Sequence, residues 1–339
     1  MRRFLLLITL YFGILTYGQI GGKTIFNFLN LAVSAKQAAL GGKIFAGLET
    51  DIFQPTFNPA TLNRGLQDQL GLNYTDYLSD INYGNIAYAP HIKHIGQVYT
   101  AVTYINYGRF QYADENGNRN GHFSAGEAAV LLGYAYHFPE SYWHIGLNTK
   151  FILSNLENFS STGLAFDLGI LYQNIEKGFD VGFVARNAGF QLSTYQGTQE
   201  NLPFELGLTL SKTFKHAPFK WFLSFENLQI PSIAFINPAH NIQDPNGKVI
   251  EENITFADQV FRHTIVGIEL FPRKKFNLRA GYNFRRNAEL SQKDQRFGSG
   301  FNFGFSLNLR KFEINYAYSN YNFASGANFM SITLHLNEF

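Results

Sequence analysis

The sequence predicts an all-β protein, a 14-stranded antiparallel transmembrane β-barrel with a small N-terminal helical plug. Three observations lead to this fold class. The chain starts with an export signal, fourteen later segments alternate apolar and polar residues with a period of two, and short connections between them alternate with long ones. Together these features favour a bacterial outer-membrane protein over a soluble all-β protein.

The amino-acid composition agrees with this class. Aromatic residues make up 17% of the chain and charged residues 15%, whereas soluble domains have about one quarter charged residues. A membrane barrel can place many rings on its lipid-facing wall. The formal net charge of +2 indicates no nucleic-acid partner, and the absence of cysteine excludes disulfides, thiolate metal sites and a lipidated cysteine.

Residues 1–18 have the pattern of a cleavable signal peptide. Arg2 and Arg3 precede an apolar run over residues 4–17, which is too short for a comfortable membrane-spanning helix, and Gly18 is a small residue at the expected cleavage point. The alternative is an uncleaved anchor helix. We expect cleavage, so that the mature chain crosses the membrane with strands alone.

The segment 276–284 shows the alternation clearly and gives its orientation. Phe276 and Leu278 lie on one face of the strand, and Asn277 and Arg279 lie on the other. Turning an arginine toward lipid costs about 2–4 kcal/mol near the membrane midplane, so the aromatic face is expected to point outward. The fourteen predicted strands lie near residues 70–77, 82–89, 97–107, 129–138, 142–152, 163–173, 178–187, 203–213, 219–228, 262–271, 275–285, 299–309, 311–319 and 328–338.

The connections between these strands alternate in length. The short ones are 139–141, 173–178, 215–219, 272–274 and 310–311. The long ones are 108–128, 187–202, 229–261, 286–299 and 320–327. Because bacterial barrels have short periplasmic turns and longer extracellular loops, we expect the long connections at the cell surface.

Residues 19–69 depart from the strand pattern and are the predicted plug, ahead of a barrel formed by residues 70–339. A serine is placed to cap a short helix, and two glycines end it. The motif residues of the plug are Ser34, Gly41, Gly42, Asn58 and Pro59. A barrel of fourteen strands has an interior wide enough to need filling, so we expect this segment inside it. The alternative is a periplasmic tail packed under the barrel.

The run from Ser34 to Gly42, followed by Asp51 and by residues 58–62, resembles the opening of the FadL-type barrel superfamily. Within that superfamily, residues 25–31 most resemble the PorQ family of type IX secretion system barrels, of the PorV/PorQ type. The resemblance is close in the N-terminal segment and covers the barrel only in strand number and loop alternation. It implies a partner in the attachment complex, a PorZ-like surface protein together with PorU and PorV, which attaches secreted cargo to lipopolysaccharide at the cell surface.

Residue types that carry chemistry do not form a recognisable site in the sequence. His91 and His94 have no third ligand nearby, and the calcium-loop-like stretch that starts at Asp114 has Arg119 where a glycine is needed and Ala125 where a glutamate is needed. No serine lies in a nucleophile elbow, and no phosphate-binding loop joins a strand to a helix. The sequence therefore predicts a protein that is not an enzyme, with no metal and no cofactor.

The loop 229–261 is the candidate partner-docking loop, because it is long and rich in apolar residues. Its candidate contact residues are Ile230, Ile233, Phe235 and Ile236. The alternative is a cap over the mouth of its own barrel.

Two functions follow from the sequence: docking of a PorZ-like surface partner in contact with membrane lipid, or FadL-type transport of hydrophobic small molecules. Polar and small residues at inward positions favour docking.

Overall fold

The structure is a computed structural model that describes residues 24–113, 119–234, 242–243, 249–250, 253–272, 274–290, 298–322 and 325–338. The predicted signal peptide lies outside the described residues, as do Phe235 and Ile236 of the candidate docking loop. Within the described part of the chain, no helix is long and apolar enough to cross a membrane.

Fourteen strands form the wall of a barrel, and each corresponds to a predicted strand. They are β1 Gln69–Asp76, β2 Asn82–Tyr88, β3 Gly96–Ala113, β4 Arg119–His137, β5 Trp143–Leu156, β6 Phe159–Asn174, β7 Phe179–Ser193, β8 Glu205–Thr213, β9 Phe219–Phe225, β10 Thr264–Leu270, β11 Phe276–Asn283, β12 Phe301–Asn308, β13 Phe312–Asn322 and β14 Ser325–His335. Two-residue strands also occur at His91–Ile92, Ile242–Gln243 and Val249–Ile250.

Each strand pairs antiparallel with the next one, and β1 pairs with β14 to close the ring. The closing ladder runs from Gln69 opposite His335 to Asp76 opposite Asn328. Closure leaves no open sheet edge at the depth of the membrane, where an unpaired backbone group would cost several kcal/mol. The predicted 14-stranded antiparallel barrel is therefore confirmed.

The apolar face of the strands points outward, as predicted. Along β12, Phe301, Phe303 and Phe305 are 45%, 54% and 41% exposed, whereas Asn302 and Ser306 at the alternate positions are fully buried. This arrangement is the reverse of a soluble protein, because the rings meet lipid and the polar side chains fill the interior. The barrel thus has the surface of an outer-membrane protein.

The predicted long loop 108–128 is wrong over most of its length, because β3 and β4 extend into it. The predicted loops 187–202 and 320–327 are wrong in part, because β7, β13 and β14 extend into them. Above the lipid, a strand ladder is held by backbone hydrogen bonds and needs no apolar outer face. Register shifts in the β3–β4 and β6–β7 ladders also change the phase of the alternation before β3 and β7 end, so the sequence pattern seems to stop there. The connections that remain long are 194–204, 226–263 and 284–300, and they lie at the same end of the barrel, which we take as the outer end.

The N-terminal segment lies inside the barrel, and not beneath it. It contains one α-helix, α1 Ala35–Ala39, and the 3-10 turns Asn27–Asn30, Gln54–Thr56, Pro59–Thr61 and Arg64–Leu66. Phe45, Phe53 and Phe57 are 0% exposed. Two further helices, α2 Phe256–Arg262 and α3 Phe284–Leu290, lie in the outer connections, and a 3-10 turn Leu336–Glu338 follows β14.

Candidate functional site

Helix α1 begins and ends at the residues that the sequence indicated. The Oγ atom of Ser34 accepts a hydrogen bond from the backbone N–H of Gln37 at 3.2 Å and donates one to Asp51 Oδ2 at 2.7 Å. Gly41 and Gly42 have φ angles of +104° and +140°, which side-chain-bearing residues rarely adopt. The cap therefore fixes α1 to the following turn of the plug, and the glycines let the chain leave the helix abruptly.

Three glycines of the barrel wall lie against the end of α1. A Cβ atom at Gly281 of β11 would lie 2.0 Å from the carbonyl carbon of Leu40, and one at Gly267 of β10 would lie 2.9 Å from the Leu40 side chain. A Cβ at Gly304 of β12 would lie 2.6 Å from the Cβ of Ala39. Small residues on both sides thus bring the helix backbone into direct contact with the wall.

Asn58 and Pro59 hold the second half of the plug. Asn58 caps the turn Pro59–Thr61 by accepting from the N–H of Ala60 at 3.1 Å, and its amide donates to the carbonyl of Phe45 at 2.8 Å. A Cβ at Gly169 of β6 would lie 2.0 Å from Asn58 Oδ1. The motif residues of the sequence analysis are therefore packing and capping residues of the plug.

Three charged residues of the plug pair with charged residues of the wall. Lys36 lies 2.7 Å from Glu313 of β13, and Lys220 of β9 lies 2.8 Å from Glu49 of the plug. The third plug residue, Lys43, bonds Glu205 at the start of β8. A buried charge without a partner is costly, so each pair ties the plug to a different part of the ring.

Glu205 is the centre of a buried charge cluster that joins the plug to the wall. It bonds Lys43 through one oxygen and accepts from Arg186 of β7 at 2.8 Å through the other. Arg186 is 1% exposed, also donates to the carbonyl of Leu29 at 2.9 Å, and stacks over the ring of Phe57 at 4.2 Å. One wall arginine therefore contacts the plug at two separate points.

Lys43 extends the cluster toward the outer mouth. Its Nζ lies 3.3 Å from Glu226, which follows β9, and Glu226 lies 3.1 Å from Arg285 of α3. Burial disfavours the charged form of Glu226, but the charges of Arg285 and Lys43 outweigh it and lower the pKa of this carboxyl to about 2. Glu226 therefore stays ionised at neutral pH, and the plug is joined to an outer connection as well as to the wall.

A β-bulge in β7 supplies part of this arrangement. The β6–β7 register shifts between Phe166 and Leu168, and Asn187 has a φ of +55°. As a result, both Arg186 and Asn187 point into the barrel, and the N–H of Asn187 donates to Asp167 at 2.8 Å. The strict period of two did not predict this pair, and the sequence signal that identifies Arg186 is that it is the one cation of its strand.

The plug separates two cavities. The one at the periplasmic mouth has a volume of about 800 Å³ and is lined by charged residues that include Asp180, Lys220 and Arg279. The one at the outer mouth has a volume of about 480 Å³, and Lys43 and Arg285 are in its lining. Both cavities are therefore lined in part by the residues that fix the plug.

The candidate docking loop is only partly described. Ile230 is half-buried and lines the outer cavity, whereas Ile233 is 0% exposed and is not available to a partner at the surface. The histidines that the structure describes also form no evident site. The rings of His137 and His144 pack edge to face with centroids 4.4 Å apart, and the described residues contain no group of three or more side chains that could hold a metal ion.

Replacement of Ser34 by alanine is expected to lower the free energy of releasing the plug from the barrel by about 1–2 kcal/mol. The change removes the helix cap and one hydrogen bond to a buried carboxylate. The chain has no cysteine, so Ala38→Cys provides a single probe in a side chain that is 2% exposed. Its rate of maleimide labelling in urea reports release of the plug. Ser160→Ala on the exposed part of β6 is the matched control, and equal labelling in both variants would contradict the role of the cap.

No family model matches the sequence, and no curated protein matches it. Solved structures of outer-membrane channels are similar in fold. The ΔS2S3 mutant of the TodX monoaromatic hydrocarbon channel is 12% identical, with 89% of this chain and 97% of that chain covered at a TM-score of 0.49. A Pseudomonas aeruginosa FadL homologue is 10% identical, with 90% and 98% covered at a TM-score of 0.45. The KdgM porin is 7% identical, with 78% and 98% covered at 0.34.

These values are too low to transfer a function, and the assignment of class rests on the chain itself. The ring of strands is closed, its outer face is apolar, and its interior is polar and filled by the N-terminal segment. These features define a plugged β-barrel of the bacterial outer membrane.

Proposed function

We propose that this chain is a non-enzymatic docking protein of type IX secretion, whose outer end holds a PorZ-like surface component of the attachment complex together with PorU and PorV. The resemblance of residues 25–62 to the PorQ family suggests the system and the partner. The barrel is then the membrane anchor of the complex, and its surface-exposed end carries the interaction.

The observation that carries this proposal is the way in which the plug is fixed. Lys36, Lys43 and Glu49 each pair with a different part of the wall, and the backbone at Leu40 lies directly against Gly281. A transport path would need these pairs to break and reform in each cycle, and the pairs of Lys36 and Lys43 are buried, so each charge left unpaired there would cost several kcal/mol. A permanently filled barrel suits an anchor better than a channel.

FadL-type transport of hydrophobic small molecules is the second candidate, and the two cavities on either side of the plug favour it. The chemistry of the periplasmic cavity opposes it. Asp180, Lys220, Glu269 and Arg279 are among the residues that line that cavity, and a hydrophobic molecule bound there would have to displace water from these charged groups.

Affinity purification tests the two candidates against each other. The full chain, with a tag inserted between residues 291 and 297, is extracted from outer membranes in mild detergent, and the proteins that co-purify are identified by mass spectrometry. Recovery of a large surface protein of the attachment complex is expected. A second tagged barrel from the same cells is the control, and protease treatment of intact cells before extraction should remove the partner. A barrel that purifies alone with bound lipid or fatty acid would contradict docking and support transport.

A further inference from the structure

One side of the barrel rises well above the membrane. Strands β3 to β7 have 14 to 19 residues, whereas the other nine strands have 7 to 11. At about 3.3 Å per residue and a tilt of about 40°, the longest of these strands spans about 45 Å, against an apolar band of about 25 Å. The β3–β4 hairpin therefore stands about 20 Å beyond the lipid at the outer end.

The polarity of the wall reverses in the raised part of the β3–β4 hairpin. Inward-facing positions of β4 include Glu127 and, by the alternation of strand residues, Phe123. Phe123 pairs with Phe110 of β3, their rings stack with centroids 5.1 Å apart, and the ring of Tyr112 lies 5.0 Å from that of Phe123. The opposite face at this height carries His122. Aromatic residues thus face the space over the barrel mouth and are exposed to water there, with Phe110 42% exposed.

The backbone of the same strand has a free edge. The ladder between β2 and β3 ends at Asn82 opposite Asn106, but β3 continues to pair with β4 as far as Ala113. The turn between β1 and β2 reaches β3 only near Gly108, where a Cβ would lie 2.9 Å from Asp80. From residue 109 to residue 112, no described strand pairs with the side of β3 that faces away from β4. An edge of this kind is a template for another strand.

We propose that residues 109–112 of β3 bind an extended segment of the surface partner by strand addition. This inference rests on the docking function and specifies its contact. The added strand is expected to carry apolar residues at alternate positions, which lie beside Phe110 and Tyr112 on the face over the mouth. It is also expected to carry an acidic residue near Arg109, which is exposed and forms no ion pair with a described residue. Backbone hydrogen bonds supply affinity in this mode, and alternate side chains supply specificity.

Lipid and a second copy of the chain are the other possible occupants. The height of the hairpin above the apolar band argues against lipid. Pairing of two β3 edges would make a dimer, and light scattering of the detergent-solubilised chain detects it. A monomer is expected, and a dimer that Phe110→Lys dissociates would overturn the assignment to a partner.

The deciding experiment uses a synthetic six-residue peptide of alternating valine and threonine, with aspartate in place of one threonine. Its binding to the full-length barrel is measured by fluorescence anisotropy. A twin peptide, N-methylated at alternate residues, has the same side chains but cannot pair with the edge. The first peptide is expected to bind at least about tenfold more tightly than the twin, since each lost backbone hydrogen bond costs about 1 kcal/mol.

Phe110→Lys should weaken binding of the first peptide by about tenfold, whereas Gln111→Lys, one residue along and on the other face, should leave it within about twofold. Equal binding of the two peptides, loss with both variants, or no binding at millimolar peptide would overturn the proposal. Introducing Phe110→Lys into the affinity purification separates the two claims. If the unmodified chain recovers its surface partner and the variant does so equally well, docking stands and the strand-addition contact fails.

Discussion

Replacement of Gly281 by valine is expected to push the plug helix off the barrel wall. The wall position on β11 has room only for hydrogen, because a Cβ would lie 2.0 Å from the carbonyl carbon of Leu40 and 2.4 Å from the backbone nitrogen of Gly41. Backbone atoms cannot rotate away as a flexible side chain could, and the chain after α1 already depends on the positive φ of two glycines. We expect the free energy of releasing the plug from the barrel to fall by about 3 kcal/mol or more, which is the upper end of the range for overpacked cores.

Maleimide labelling of Ala38→Cys measures this effect without disturbing the strands. The cysteine should be protected in the parent chain and react readily when Gly281→Val is present. The matched control is Ala280→Val, the neighbouring residue of the same strand, which is on the lipid-facing side. The barrel should remain folded in both variants, as shown by its mobility in unheated detergent gels. Protection of the probe in Gly281→Val would show that the helix is not held by close contact with the wall.

The barrel could be predicted from the sequence because lipid imposes a simple rule on it. Each strand must present apolar residues outward at the depth of the membrane, so Phe301, Phe303 and Phe305 reveal both the strand and its direction. The helix α1 could be predicted for a similar reason, since a serine cap and a pair of glycines act locally. The helix signal depends on residues that are neighbours in sequence. The strand signal depends on lipid, which surrounds the barrel on all sides.

The interior follows no such rule. Lys43 and Glu205 are 162 residues apart, and nothing in the sequence says which wall charge a plug charge will meet. The bulge that turns both Arg186 and Asn187 inward breaks the alternation on which the prediction depended. The raised part of β3 was missed because a register shift between Asn106 and Arg109 changes the phase of its alternation, so that the pattern seems to end there. The contacts that fix the plug and the edge proposed for docking therefore became visible only in three dimensions.

Replacement of Glu205 by glutamine is expected to have the largest effect of any charge removal in the barrel. The change keeps the size of the side chain but leaves Arg186 and Lys43 buried without the carboxylate that they share. Breaking a buried pair by removing one partner typically costs about 3–5 kcal/mol, because the remaining charge has lost its water as well as its partner. Lys43→Met should cost less, since Glu205 would keep Arg186 and Glu226 would keep Arg285.

Urea unfolding of the purified chain in detergent, together with labelling of Ala38→Cys, distinguishes loss of the plug from loss of the barrel. The expected order of stability is the parent chain, then Lys43→Met, then Glu205→Gln. Glu338→Gln is the control, because Glu338 pairs with Arg310 at an exposed site, with side chains 40% and 85% exposed, where an ion pair contributes about 1 kcal/mol or less. If Lys43→Met were as damaging as Glu205→Gln, the plug lysine alone would hold the cluster together. A smaller effect of Glu205→Gln than of Lys43→Met would mean that the two cations do not depend on a shared carboxylate, and the plug would then be fixed mainly by its packing against the wall glycines.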